Sequence, residues 1–206
     1  MNGWVRKWAG FLPTVAFSLY NGGLGLRHAS LWHGSICAYY ALLSILRGVL
    51  LLAEDWEERE EGGIPVRRRK GIFYGTWVLI LVMNAALIRP TLLMVLSRRP
   101  VSMGMIPAIT SATYTTYKII AAGLGLRKKR ENIFARELGL LRFVDALVSV
   151  LVLQNTLITV VDGEVKGEMF LLSAVTSAGI FLLIFSLSLL WFGKERRNLK
   201  KQPAET

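Results

Sequence analysis

Charged and polar side chains recur at helical spacing inside apolar stretches of this sequence. In the stretch 136–161, RELGLLRFVDALVSVLVLQNTLITVV, Arg142 and Asp145 share one helical face, and Ser149 and Thr156 continue it at spacings of four and seven. A charge at the centre of a bilayer costs about 3 kcal/mol or more, so such residues normally face a bundle interior or a water-filled cavity. Asp145 is the only carboxylate at predicted membrane depth, which makes it a candidate for coupling transport to protons or cations.

Other segments carry polar faces of the same kind. One helical stripe consists of His33, Cys37, Tyr40, Ser44 and Arg47, and another of Ser111, Tyr114, Thr115 and Lys118. Smaller contributions come from Asn84 and Arg89, and from Thr14, Ser18 and Asn21. Polar faces on several helices predict a hydrated cavity, which we expect to be lined by the second, fourth and fifth apolar segments.

The candidate substrate or coupling residues are Asp145, Lys118, Arg142, Arg47, Ser44, Ser149, Tyr40, Tyr114, Asn84 and Arg89. The interiors of the segments, away from their ends, hold four basic residues (Arg47, Arg89, Lys118 and Arg142) against one acidic residue, Asp145. A cavity lined by them favours an anionic or zwitterionic solute. Each candidate has a structural alternative. Either arginine near a segment end, 47 or 142, could extend to the headgroups, and Asp145 could be a structural counter-ion to Arg142 or Lys118. Arg89 adjoins a kink expected at Pro90, and the tyrosines could simply pack.

Composition places the chain in the membrane. Of its 206 residues, 53% are hydrophobic and 19% are charged, and the apolar residues come in blocks of about twenty. A helix needs about 20 residues to cross about 30 Å of hydrocarbon. Six such segments are predicted, at about 4–26, 29–53, 71–96, 101–126, 136–161 and 169–192. Pro13 and an Asn21-Gly22-Gly23 turn are expected to interrupt the first. The fold class is therefore an all-α integral membrane protein with six transmembrane helices in one membrane domain, 1–206.

Basic residues predict the orientation. The N-terminus, the loops after segments two and four, and the tail hold seventeen Lys and Arg residues, whereas the other three loops hold four. This bias predicts a multi-pass protein of the cell membrane (plasma or inner) with both termini, the loop 54–70 and the tail 194–206 in the cytoplasm. If the first segment only lies on the membrane, five spans remain and the N-terminus is outside. The basic clusters 67–70 and 127–130 should meet anionic lipid headgroups.

Short motifs hint at an internal duplication. The sequence GLGLR at 23–27 recurs at 123–127, and ALLSIL at 41–46 resembles ALVSVL at 146–151. The halves would be 1–99 and 100–206. Because each half has three spans, the second would be inverted relative to the first, as in many secondary transporters.

The sequence lacks the residues needed for a disulfide, for a histidine-built metal site and for several common enzyme mechanisms. One cysteine excludes an internal disulfide, and two histidines are too few for a histidine-built metal site. No nucleotide-binding loop, zinc-binding helix, serine-nucleophile elbow or nucleic-acid module is visible, so we expect no enzyme, no cofactor, no metal and no nucleic-acid partner.

These patterns favour a small membrane transporter or channel, as a homodimer or in a larger membrane complex, that moves a small polar solute, anionic or zwitterionic. The alternative is a non-transporting membrane subunit that binds a ligand or a partner protein, such as the substrate-binding subunit of an importer or a scaffold. Water access distinguishes the two, because a transport path must be hydrated from both faces of the membrane.

Overall fold

The described part of the chain is helical throughout. The computed structural model describes residues 11–28, 31–59, 64–97, 105–126, 132–160 and 167–201. They form six helices, one for each predicted segment: α1 (Phe11–His28), α2 (Leu31–Arg59), α3 (Val66–Ser97), α4 (Met105–Leu126), α5 (Ile133–Val160) and α6 (Gly167–Lys201). The described residues contain no strand. The ends of the predicted segments at 4–10, 29–30, 101–104 and 161 lie outside these residues, as does the predicted basic cluster 127–130.

Among the described residues, three helices are long and apolar enough to cross a membrane. They cover Leu31–Arg59, Val66–Leu92 and Leu171–Arg197, which belong to α2, α3 and α6. The all-helical class and the membrane class predicted from composition are therefore confirmed. The count of six spans, the orientation and the duplication stay predictions.

The chain divides into two compact units. Unit 1 contains Met1–Leu87, Arg130–Leu138 and Phe185–Thr206, and unit 2 contains Ile88–Lys129 and Gly139–Ile184. Unit 1 therefore takes α1, α2, most of α3, the first turn of α5 and the C-terminal half of α6. Unit 2 takes the end of α3, all of α4, most of α5 and the N-terminal half of α6.

In unit 1, the helix α1 continues through the residues that were expected to interrupt it. Asn21 donates from Nδ2 to the Phe17 carbonyl, 2.8 Å away, and so stays within the helical pattern. The glycines here permit close packing instead of a turn: a Cβ on Gly25 would lie 3.1 Å from the backbone nitrogen of Gly34 on α2. Only two residues separate α1 from α2, so the two helices form a hairpin. The absence of a side chain at Gly25 lets their backbones approach closely.

Much of the predicted cytoplasmic loop 54–70 is also helical. The acidic half extends α2 to Arg59, which pairs with Asp55 at 2.7 Å, and the basic half starts α3. Glu57 accepts hydrogen bonds from the Ile64 backbone nitrogen, at 2.9 Å, and from the Arg69 guanidinium. The two halves of the loop have opposite charge, and this bridge between them fixes the connection from α2 to α3. The predicted tail begins as helix as well, since α6 continues to Lys201.

An aromatic cluster joins α3 to α6 in unit 1. Phe192 stacks on Phe73, with ring centroids 5.7 Å apart, and on Trp77, with centroids 4.2 Å apart. Trp77 also donates from its indole nitrogen to the Ser188 carbonyl at 3.1 Å. The indole therefore contributes both apolar contact area and a satisfied polar group to this interface.

In unit 2, serines lie on the inward face of α6. Ala174 and Ala178 have the spacing for close helix contact, but Ala178 is exposed and Ala174 is half-buried. The buried residues are Ser173 and Ser177, which lie one position earlier along the helix. The small-residue spacing is thus present, but serines provide it.

Candidate functional site

A buried ion pair in unit 2 joins α4 to α5. The Lys118 ammonium on α4 lies 2.5 Å from an Asp145 carboxylate oxygen on α5, and the two side chains are 6% and 3% exposed. The ammonium also lies over the ring of Tyr114, 4.1 Å from its centroid. Lys118 is thus held by a carboxylate and by the negative face of an aromatic ring, both of which favour its charged form.

Hydrogen bonds continue this contact one turn along the helices. The Thr115 hydroxyl donates to the Ser149 carbonyl on α5 at 3.1 Å. The Ser149 hydroxyl in turn donates to the Asp145 carbonyl on its own helix, at 2.8 Å. These bonds fix the register of α4 against α5 and so keep the ammonium opposite the carboxylate.

The environment of α5 explains why it tolerates these charges. Among its described side chains, Leu157 is the only exposed one. A helix that is enclosed on all sides can present polar groups to neighbouring helices instead of to lipid. Of the predicted polar stripe on α4, Ser111, Thr115 and Lys118 are buried and Tyr114 is half-buried.

The remaining candidates in unit 2 lie around or away from this pair. Arg142 is half-buried and precedes Asp145 by three residues on the same helix, and Tyr114 is half-buried. Arg142 and Lys118 were the two predicted ion-pair partners of Asp145, and the structure shows the pair with Lys118. Arg89 is exposed, next to Pro90 inside α3, and is not part of the buried polar groups.

In unit 1, the polar stripes of α1 and α2 contact each other. An Asn21 oxygen lies 3.3 Å from the His33 ring, and the Ser18 hydroxyl donates to the Cys37 carbonyl at 3.0 Å. Further along the hairpin, the Arg47 guanidinium donates to the Thr14 hydroxyl at 2.7 Å. These contacts follow in antiparallel order, so polar groups of each stripe form hydrogen bonds with polar groups of the other.

The other unit 1 candidates are buried with polar contacts to their own helices. The Ser44 hydroxyl donates to the Tyr40 carbonyl at 2.8 Å, and the Asn84 amide donates to the Ile80 carbonyl at 2.7 Å. The Tyr40 ring packs edge-on against Phe17, with centroids 5.0 Å apart. The structure therefore places Tyr40, Ser44, Arg47 and Asn84 in unit 1, and Arg89, Tyr114, Lys118, Arg142, Asp145 and Ser149 in unit 2.

Two sets of buried polar residues were missed by the sequence analysis. In unit 1, Glu137 and Glu195 are each 2% exposed. In unit 2, Ser173 donates to a side-chain oxygen of Asn155 at 3.1 Å, and both residues are buried. The burial of Glu195 could have been predicted from spacing if the sixth helix had been extended past residue 192. Glu195 lies seven residues after the buried Ser188, on the same face of α6.

Comparison with known proteins adds no relative: no family model, no curated protein and no solved structure matches the chain. The functional argument therefore rests on the geometry of the described residues.

Proposed function

We propose that the protein is a small multi-pass transporter of the cell membrane that carries an anionic or zwitterionic solute, with Lys118 as the cationic contact for that solute. The observation that carries this proposal is the buried Lys118–Asp145 pair. An ion pair that contributed only to packing could be replaced as a whole by apolar side chains at little or no cost in stability, since buried ion pairs are weak stabilisers. A cation that binds an anion in the membrane, by contrast, needs a counter-ion whenever the solute is absent.

In this mechanism the solute's anionic group replaces the Asp145 carboxylate on Lys118, and Asp145 takes up a proton. Before the exchange the site contains one ammonium and one carboxylate. Afterwards it contains the ammonium, the solute anion and an uncharged acid. The site is neutral in both states, so neither state leaves a net charge in a medium of low dielectric constant. The other charged groups described in unit 2 are Arg142, which is half-buried, and Arg89, which is exposed.

We further propose that α1, α4 and α5 cross the membrane together with the three long apolar helices. This gives six spans with both termini in the cytoplasm, as the distribution of basic residues favours. On the cytoplasmic side, the side chains of Arg67, Arg68 and Lys70 are exposed and available to anionic headgroups, whereas Arg69 is bound to Glu57. A homodimer would enclose a solute path more completely than six helices alone.

The test is flux in proteoliposomes. Labelled phosphate, lactate, succinate and glutamate serve as probes, driven either by a pH gradient or by a potassium diffusion potential. We expect uptake of at least one probe, driven by the pH gradient, because the exchange moves one proton with each negative charge.

Asp145→Asn should abolish the response to the pH gradient. Asp55→Asn makes the same chemical change at a partly exposed i,i+4 pair and should leave flux unchanged. Failure of every probe would count against transport of these anions.

A second function is favoured by the polar contacts in unit 1. The stripes of α1 and α2 satisfy each other through the contacts of His33, Cys37 and Arg47, as expected of a structural interface in a non-transporting subunit. Cysteine accessibility distinguishes the two functions. In a Cys37→Ala background, single cysteines at Ser44, Ser111, Ser149 and Thr156 are exposed to a membrane-impermeant thiol reagent from each side. Labelling from both sides supports transport, labelling from one side supports a ligand-binding subunit, and no labelling indicates a structural interface.

A further inference from the structure

A second buried charge cluster lies in unit 1, where the first turns of α5 meet the C-terminal part of α6. The Arg136 guanidinium on α5 donates to a Glu195 carboxylate oxygen on α6 at 2.7 Å, and Glu195 is 2% exposed. The next residue on α5, Glu137, is also 2% exposed. Glu195 is a charged neighbour of Glu137. The cluster therefore contains two buried carboxylates and one guanidinium, which donates to Glu195.

The hydrogen bonding of Glu137 is incomplete. Its Oε2 atom is buried and has no hydrogen-bond partner among the described residues. An ionised carboxylate that is buried without a partner takes up a proton instead of remaining charged. The N-terminus of α5 does not replace the missing partner, because helix-end stabilisation of an anion is small and fades within the first turn, and Glu137 is the fifth residue of the helix.

Two further charge pairs are described in unit 1. On α2, Asp55 pairs with Arg59, and Glu57 accepts from Arg69 at the start of α3. At Arg136, Glu137 and Glu195, the described contacts bring one cation together with two carboxylates.

We propose that Glu137 and Glu195 form a proton-binding site, in which Glu137 holds a proton at neutral pH while Glu195 remains ionised against Arg136. When the pH rises the proton leaves to water, and two buried carboxylates then repel each other across the contact between α5 and α6. The site is thus a proton-dependent latch between these two helices. This inference does not rest on the proposed transport function.

Two matched variants test the assignment. Glu137→Gln replaces the protonated acid with a neutral group of similar shape, so the thermal unfolding midpoint in detergent at pH 7 should equal or exceed that of wild type, because unfolding ionises the glutamate of the wild type but not the glutamine. Glu195→Gln makes the same change at the same burial but removes the carboxylate from Arg136. Its midpoint should fall by about 4 °C or more. Raising the pH from about 7 to about 9.5 should destabilise the wild type but not Glu137→Gln, because only the wild type has this proton to lose.

Infrared spectroscopy of the protein without added solute reports the proton directly. We expect a protonated-carboxyl band at neutral pH that disappears at alkaline pH, shifts in Glu137→Asp and is missing in Glu137→Gln. The proposal is overturned if the wild type shows no such band at neutral pH, if the band is unchanged in Glu137→Asp, or if Glu137→Gln loses as much stability as Glu195→Gln. The infrared result decides the question even if a glutamine variant does not fold.

Discussion

Replacing Lys118 and Asp145 singly and together tests whether they form one buried, mutually compensating pair. The ammonium and carboxylate are 2.5 Å apart and nearly inaccessible to water. At an effective dielectric constant of about 20 their attraction is about 7 kcal/mol, and desolvating the two ions offsets most of it. The net stabilisation by the pair is therefore small. Removing one partner, however, leaves the other charge buried and uncompensated, at a cost of about 3–5 kcal/mol.

The variants are Lys118→Met, Asp145→Leu and the combination of both. Each single variant should lose about 3–5 kcal/mol, whereas the double variant should lie within about 2 kcal/mol of wild type, because apolar side chains of similar volume replace buried pairs well. Unfolding in mixed micelles with increasing dodecyl sulfate, followed by far-ultraviolet circular dichroism, measures these differences. If the two single losses add in the double variant, or each is below about 1 kcal/mol, the two groups are not a compensating buried pair.

The same double variant separates structure from function. If the pair only joins α4 to α5, a stable double variant keeps whatever activity the protein has. If Lys118 binds the solute, the double variant folds but does not carry any probe that the wild type carries. Stability and flux measured on one protein therefore distinguish an interface from a transport site without relying on a destabilised variant.

Two further predictions concern the hairpin of α1 and α2, with stability measured by the same unfolding assay. Gly25→Ala places a methyl group 3.1 Å from the Gly34 backbone and should be less stable than Gly23→Ala, which meets nothing within 4 Å, by about 1–3 kcal/mol; equal stabilities would contradict the close approach. Thr14→Val removes the hydroxyl that accepts from Arg47 and should cost about 1.5–3 kcal/mol, as for other hydrogen bonds to charged groups. A cost near zero would show that the guanidinium does not depend on this contact.

The fold class was predictable because it depends on patterns within single segments. Every predicted apolar block corresponds to a helix among the described residues, and the inward faces of α2 and α4 are those that the polar spacing indicated. The ends of the helices were less predictable. Charged residues past an apolar block look like loop in the sequence, but an i,i+4 pair such as Asp55–Arg59 and a contact such as Glu57–Arg69 keep the chain helical.

The partners of the polar residues could not be read from the sequence. Periodicity shows which face of a helix is polar, but the residue that meets it lies on another helix. Thr14, Ser18 and Asn21 were expected to line a cavity, yet they contact the stripe on α2 because a two-residue connection folds α1 directly onto that face. Glu137 was missed for a related reason, since its charged neighbour Glu195 lies on another helix, 58 residues later in the sequence.

The two buried charge clusters have different charge balance, and this difference limits what each can do. Lys118 and Asp145 neutralise each other, so any anion that reaches Lys118 must displace a carboxylate, and that carboxylate must then be neutralised by a proton. The described contacts of the other cluster join one cation, Arg136, to two carboxylates, Glu137 and Glu195, so the proton-binding site proposed there holds a proton even at rest. A pH gradient therefore acts on the two clusters in different ways.

Added solute should increase protonation of Asp145 alone, whereas alkaline pH without solute should deprotonate Glu137. Infrared difference spectra of Asp145→Asn and Glu137→Gln under these two conditions would assign each signal. Loss of both signals in a single variant would show that the clusters do not titrate independently.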